Sequence, residues 1–231
     1  MTLVHEEILE VDEKERSELT QLNRNRILNA LKEKGLEETY KLLETEFQER
    51  ERFHDLYVDW VGELTALLAE KAGDEAVQEF YRSFYERRSR GGQDDLKYRL
   101  PIEDLVRFRA KKFVGGGHDF NLDIREDDEK FIFRLDPCGS GGRLIAKSDD
   151  PRYRTRGAYP WSHLKANVPY YCVHCFFIWE IRSIETVGYP RVVYEIPEKP
   201  GHPCIQLMYK DPTKIPERYF ERLGRKKQLP L

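Results

Sequence analysis

Two cysteines three residues apart, with a histidine between them, are the strongest chemical signal in the chain: Cys172-Val173-His174-Cys175. A C-x-x-C pair converges two sulfurs from one turn and so can bite a tetrahedral metal. Cys204, behind a Pro/Gly-rich loop, is placed to be a third ligand. Cys138, Glu195, His202 or His174 could supply a fourth. This mix of soft sulfur and nitrogen suits zinc better than magnesium or calcium. Two other readings stand beside the metal one: inert thiols buried in a core, and thiols used for redox or nucleophilic chemistry.

A second constellation is Asp136-Pro137-Cys138-Gly139-Ser140-Gly141-Gly142-Arg143. It follows a strand-like segment, so Cys138 falls at a strand end, where loops carry function. Its glycines permit a nest of backbone N–H groups for an anion or oxyanion, and Arg143 suits a carboxylate. Such surroundings can activate a cysteine nucleophile. A plain glycine-rich turn is the competing reading, and the Lys-Ser/Thr ending of a phosphate-binding loop is absent. A third set is His54, Asp55 and Asp59. His54 and Asp55 project about 100 degrees apart on a helix, whereas Asp55 and Asp59 share a face. These residues face either a pocket or solvent. Cys138, His174 and His54 are thus the catalytic candidates. Gly139, Gly141, Arg143, Trp161 and Tyr171 are the candidates for binding substrate. Arg152, Arg154 and Arg156 are a polar run that could attract an anion or merely be solvated.

These residues need elements to hold them. Pro101 is the first of twelve prolines, so the front of the chain can form long helices. Apolar spacing predicts helices over 19–34 and 36–71, stopped by Gly35 and Gly73, and over 75–90 with Asp74 as N-cap. Large apolar residues of the second helix, among them Leu56, Trp60, Leu64 and Leu67, are expected to face the core. One or two short helices follow over 94–110. Beyond Gly115-Gly116-Gly117, alternation predicts strands over 119–124, 130–135, 191–196 and 204–209. A helix is expected over 172–187, ending at Gly188, and a short one over 216–223 capped by Thr213. The fold class is therefore α+β: an N-terminal helical region, 1–112, packed on a C-terminal antiparallel sheet with flanking helices, 113–231.

The 231 residues carry 39 basic and 42 acidic groups, a net charge of −3. That balance argues against dedicated nucleic-acid binding. It also hides an asymmetry: residues 1–60 sum to −7 and residues 113–231 to +3. No apolar run reaches the roughly 18 residues of a membrane span, and the acidic start lacks a secretory h-region. A reducing cytoplasm is the expected setting, where clustered thiols more often bind metal or catalyse than form disulfides. The expected partners are a small-molecule ligand or substrate, with further copies of the chain as an option.

The segment GDEAVQEFYRSFYERR, a strand ending at a Cys, a Cys-bearing helix start and the closing Gly201-His-Pro-Cys204-Ile-Gln-Leu-Met-Tyr209 form a familiar pattern. Over about residues 74–210 it resembles the four-vinyl-reductase domain and the 2-aminothiazoline-4-carboxylate hydrolase-like family. The first resemblance implies a small-molecule-binding α+β domain with structural zinc on Cys172 or Cys175, Glu195 and Cys204. The second implies hydrolysis of a small ring containing sulfur or nitrogen. The chain departs from the pattern in its PCGSGGRL loop and in having no Cys just after Glu195. The expected function is a zinc- or cysteine-dependent hydrolase or lyase acting on a small anionic compound. The alternative is a non-catalytic binding module with a structural zinc.

Overall fold

The computed structural model describes residues 23–89, 95–115, 121–147, 150–197, 199 and 202–227. The chain divides into two compact units, Met1–Arg52 and Phe53–Leu231. The 112/113 boundary suggested by composition falls inside the second.

In the first unit, helix α1 (Asn23–Glu33) ends at Gly35, whose φ of +87° is the left-handed conformation that a glycine adopts without strain. Helix α2 (Leu36–Ala72) opens with Glu37 and Glu38, which complement the positive end of its dipole. The unit boundary falls within α2, between Arg52 and Phe53.

In the second unit, the rest of α2 departs from the expected stripe. Its buried face is built from His54, Val58, Thr65, Ala66 and Ala69, while Leu56, Trp60, Leu64 and Leu67 point outward, Trp60 and Leu64 being 64% and 66% exposed. The buried face carries the small residues Thr65, Ala66 and Ala69, and Gly62 lies within ordinary packing distance of the Leu144 side chain.

Helix α3 (Asp74–Ser89) packs Val77 and Tyr81 inward, with Tyr81 stacked on Phe177 at 5.9 Å. Asp74 starts this helix, but its carboxylate reaches away instead of capping it. It accepts from the Tyr170 hydroxyl at 2.6 Å and the Arg156 N–H at 2.7 Å. A 3-10 turn (Leu96–Arg99) leads to α4 (Ile102–Gly115), which lies against the sheet.

The sheet is antiparallel throughout, with order β1 (Asn121–Glu126), β2 (Lys130–Asp136), β4 (Cys204–Tyr209), β3 (Val193–Glu195). Leu135 of β2 stands opposite Cys204 of β4. Between β2 and β3 lie α5 (Gly141–Lys147), α6 (Tyr170–Phe176), a π-helical turn (Phe177–Ile181) and α7 (Arg182–Val187), which ends at Gly188. Phe133, Leu135, Val173, Phe176, Tyr194 and Met208 close the core between the sheet and α6. The last helix, α8 (Arg218–Glu221), is shorter than expected. Thr213 lies in a preceding 3-10 turn that is capped by the Asp211 carboxylate. No described helix is long and apolar enough to cross a membrane.

Candidate functional site

The turn after β2 positions the site. A cis peptide joins Asp136 to Pro137, and α5 begins on Ser140, whose carbonyl accepts from Leu144 N–H at 3.1 Å. Gly141 is required by packing: a Cβ there would lie 2.6 Å from Cys172 Sγ of α6.

Ser140 Oγ lies 3.2 Å from His54 Nε2 of α2. His54 Nδ1 lies 3.5 Å from the Asp55 carboxylate, which also forms an ion pair with Arg143. The second and third sequence constellations therefore make one site. The Tyr171 hydroxyl shares a hydrogen bond with Ser140, and burial holds Tyr171 far above the usual phenol range. Tyr171 is thus a neutral phenol beside Ser140. Ser140 and His54 are buried, while Asp55 and Arg143 keep about a quarter of their side chains exposed and form the rim.

The thiols gather behind this site, within each other's electrostatic reach. Burial pushes Cys138 up, although its sulfur accepts backbone N–H bonds from Gly142, Ser140 and Gly141. Cys172 and Cys204 are raised well above the usual thiol value, first by burial and then by neighbouring thiols. Burial raises Cys175 to about 11, against the Arg109 charge and a Tyr194 hydrogen bond. His174 donates from Nδ1 to the Tyr171 carbonyl, so its Nε2, 3.4 Å from Cys175 Sγ, is the acceptor. Burial lowers His174 to about 4. Near neutrality the cluster therefore holds four protonated thiols and a neutral imidazole. Arg109, itself buried, stacks over Trp179 and Phe113 at 4.4 and 4.5 Å and donates to the Tyr194 hydroxyl at 2.8 Å.

The zinc expectation fits this geometry poorly. Among the described residues no group of three or more His, Cys, Asp or Glu side chains is arranged to hold a metal. Cys172, Cys175, Cys204 and Glu195 are all described. Glu195 is turned instead toward Arg222, at 3.8 Å, and the Tyr219 hydroxyl.

Other candidates are placed as follows. Gly139 is buried in the turn. Trp161 is buried and stacked on Tyr159 at 4.9 Å, so it serves the core. Arg152 binds Glu63 at 3.0 Å. Tyr153, Arg154, Leu144, Pro169 and Tyr171, with Gly62 and Thr65 of α2, line a shallow surface depression. Sequence reasoning missed Ser140 as a reactive group. The available signal was a serine flanked by glycines between a strand and the next element.

Compared with known protein families, with curated proteins and with solved structures, the chain matches none.

Proposed function

We propose that the chain is a hydrolase of small acyl compounds, with Ser140 as nucleophile, His54 as general base and Asp55 as the counter-charge beside the imidazole. The observation that carries this reading is the contact chain Ser140 Oγ–His54 Nε2–Asp55. A nucleophile within hydrogen-bond reach of a base is the arrangement that activates a hydroxyl, and the Asp55 carboxylate, at ion-pair distance from Nδ1, supports the positive charge that forms on the ring. In the reaction, Ser140 Oγ attacks the substrate carbonyl as its proton passes to His54 Nε2. Tyr171, kept protonated, donates to the oxygen that becomes negative. His54 then returns the proton to the leaving group. Water, deprotonated by His54, releases the acyl group and restores Ser140.

A second reading has its own observation. Three backbone N–H groups point at Cys138 Sγ, a setting that favours a thiolate nucleophile. Burial outweighs them and no base contact is seen at that sulfur, so Ser140 is preferred.

Turnover of 4-nitrophenyl hexanoate separates the readings. Ser140→Ala and His54→Gln should each lower kcat/KM by about 10²–10⁴-fold. Cys138→Ala should cost far less. A fluorophosphonate should label Ser140, read by peptide mass spectrometry. Loss in C138A with S140A spared would transfer the role to Cys138. Full activity in both variants would leave a binding module with no nucleophile in this turn.

A further inference from the structure

We infer that the outer face of α2 in the second unit, from Phe53 to Leu67, docks a second copy of this chain, so that the protein is a two-fold dimer paired through that face. The inference is independent of the hydrolase reading.

The face is made of side chains that periodicity assigns to a core. Phe53, Tyr57, Trp60 and Leu64 are each more than half exposed, and Leu56 and Leu67 nearly half. The opposite face of the helix is already filled, with His54, Val58, Thr65, Ala66 and Ala69 buried. Monomers rarely leave so large a contiguous apolar patch in water, and a patch of this size marks an interaction site.

Spacing identifies the occupant as a helix. Phe53, Tyr57, Trp60, Leu64 and Leu67 follow one another at intervals of four, three, four and three residues. That alternation keeps one seam turned toward a second helix running alongside at a shallow angle, each side chain entering a gap between those of the partner. The helix is unbroken along the seam. A two-fold axis brings the same seam to both sides, so the stripe is its own complement and needs no other sequence.

Area and charge favour a copy of the chain over a lipid surface. With about 150–250 Å² for a whole aromatic side chain and less for a leucine, the exposed parts amount to roughly 600 Å². Two such faces bury about 1,200 Å², the lower bound for a specific, stable interface. A helix that lies on an anionic membrane has a polar face rich in Lys and Arg, whereas residues 53–72 hold four carboxylates and a single lysine. These acids do not drive two copies apart: Asp55 and Glu63 are paired with Arg143 and Arg152 of their own chain.

The test measures solution mass and the exposure of Trp60. At about 50 µM, light scattering on a sizing column should give twice the 27.5 kDa of one chain. Leu64→Glu should weaken association at least about tenfold, and Leu96→Glu, at a similarly exposed leucine off this helix, should leave the mass unchanged. Acrylamide quenching reports Trp60, because Trp161 and Trp179 are buried. Quenching should be low in the wild-type dimer and rise severalfold in L64E, with the far-UV helical signal retained. If L64E loses that signal, quenching of the wild-type dimer decides by itself. A monomeric wild type overturns the inference. A monomer with Trp60 protected would show another segment of the same chain on the stripe, and a monomer that binds vesicles of phosphatidylcholine and phosphatidylserine would show a lipid surface as the occupant. A dimer in which Trp60 stays open to acrylamide, or one that L64E leaves intact, pairs through another face and equally overturns it.

Discussion

His174 shows how one side chain's environment decides its state. Its Nδ1–H is taken by the Tyr171 carbonyl, its Nε2 faces Cys175, and burial lowers its pKa to about 4. A free histidine takes up its proton near 6.5. Between those values the unfolded chain binds this proton and the folded chain does not, so stability falls as pH drops from 6.5 to 4. The gap bounds the loss at about 3 kcal/mol. His163 is also lowered by burial and acts in the same direction. Urea midpoints measured from pH 7 to pH 4 should therefore decline, and His174→Gln should flatten the decline by this residue's share. An unchanged slope in H174Q would mean that the imidazole is protonated in the folded state. Burial keeps His174 neutral and its Nδ1–H is taken by the Tyr171 carbonyl, so it stays beside Cys175, and His54 is the histidine that reaches Ser140.

At the scale of elements, the contact of α5 with α6 is the tightest near the site. A methyl at Gly141 would overlap Cys172 Sγ, so Gly141→Ala should cost about 1–3 kcal/mol by overpacking. Cys172→Ala removes the sulfur, and the double variant should recover most of that loss. A double-mutant cycle in denaturant reads this coupling directly. Additive losses would show that the helices separate to make room. The same pair of elements marks the limit of what the sequence could tell. The long helices were legible because period and glycine stops agree over many residues, and β1, β2 and β4 because alternation persists for six or seven; β3, expected over 191–196, holds only Val193–Glu195. Helix α5 was not, because GGRLIAK is a single short helix with two glycines at its start. The outward turn of Trp60 and Leu64 was also hidden, since periodicity finds a stripe but not which side of the helix the rest of the fold packs against. For the site, residue types singled out the Cys138–Arg143 turn and the His54–Asp55 pair separately. Their union at Ser140 spans 86 residues of chain and leaves no local trace. The C-x-x-C spacing was visible, but spacing on a helix does not dictate where a third and fourth ligand stand.

Across the second unit as a whole, Glu180 is the tie. It is 1% exposed and lies in the π-helical turn, which aims its carboxylate across the fold. One oxygen accepts from the Tyr194 N–H of β3 at 2.7 Å and from Arg222, just after α8, at 2.6 Å. The other meets His163 in the segment before α6. Burial alone would raise this carboxyl, but the His163 hydrogen bond, the Arg222 charge and the Tyr194 N–H hold it below the usual 4.5. Its folded pKa is depressed, so its contribution is present above the unfolded value and is lost as pH falls through the folded one. Burial pulls His163 down despite the carboxylate, which leaves Arg222 as the steady counter-charge. Glu180→Gln replaces an acceptor with an amide whose N–H₂ must face donors, and it strips Arg222 of its buried partner. Removing one member of a buried pair typically costs about 3–5 kcal/mol. E180Q should lose that much in a single cooperative transition, because the strand, the helix turn and the C-terminal segment are held at one point. Arg222→Gln should lose a similar amount, and the double variant less than the two together. Below the melting range, E180Q should still turn over 4-nitrophenyl hexanoate, since its contacts do not include Ser140, His54 or Asp55. A loss under about 1 kcal/mol in E180Q would show that the network contributes little net stability. Two separate unfolding transitions would show that these elements do not fold as one body.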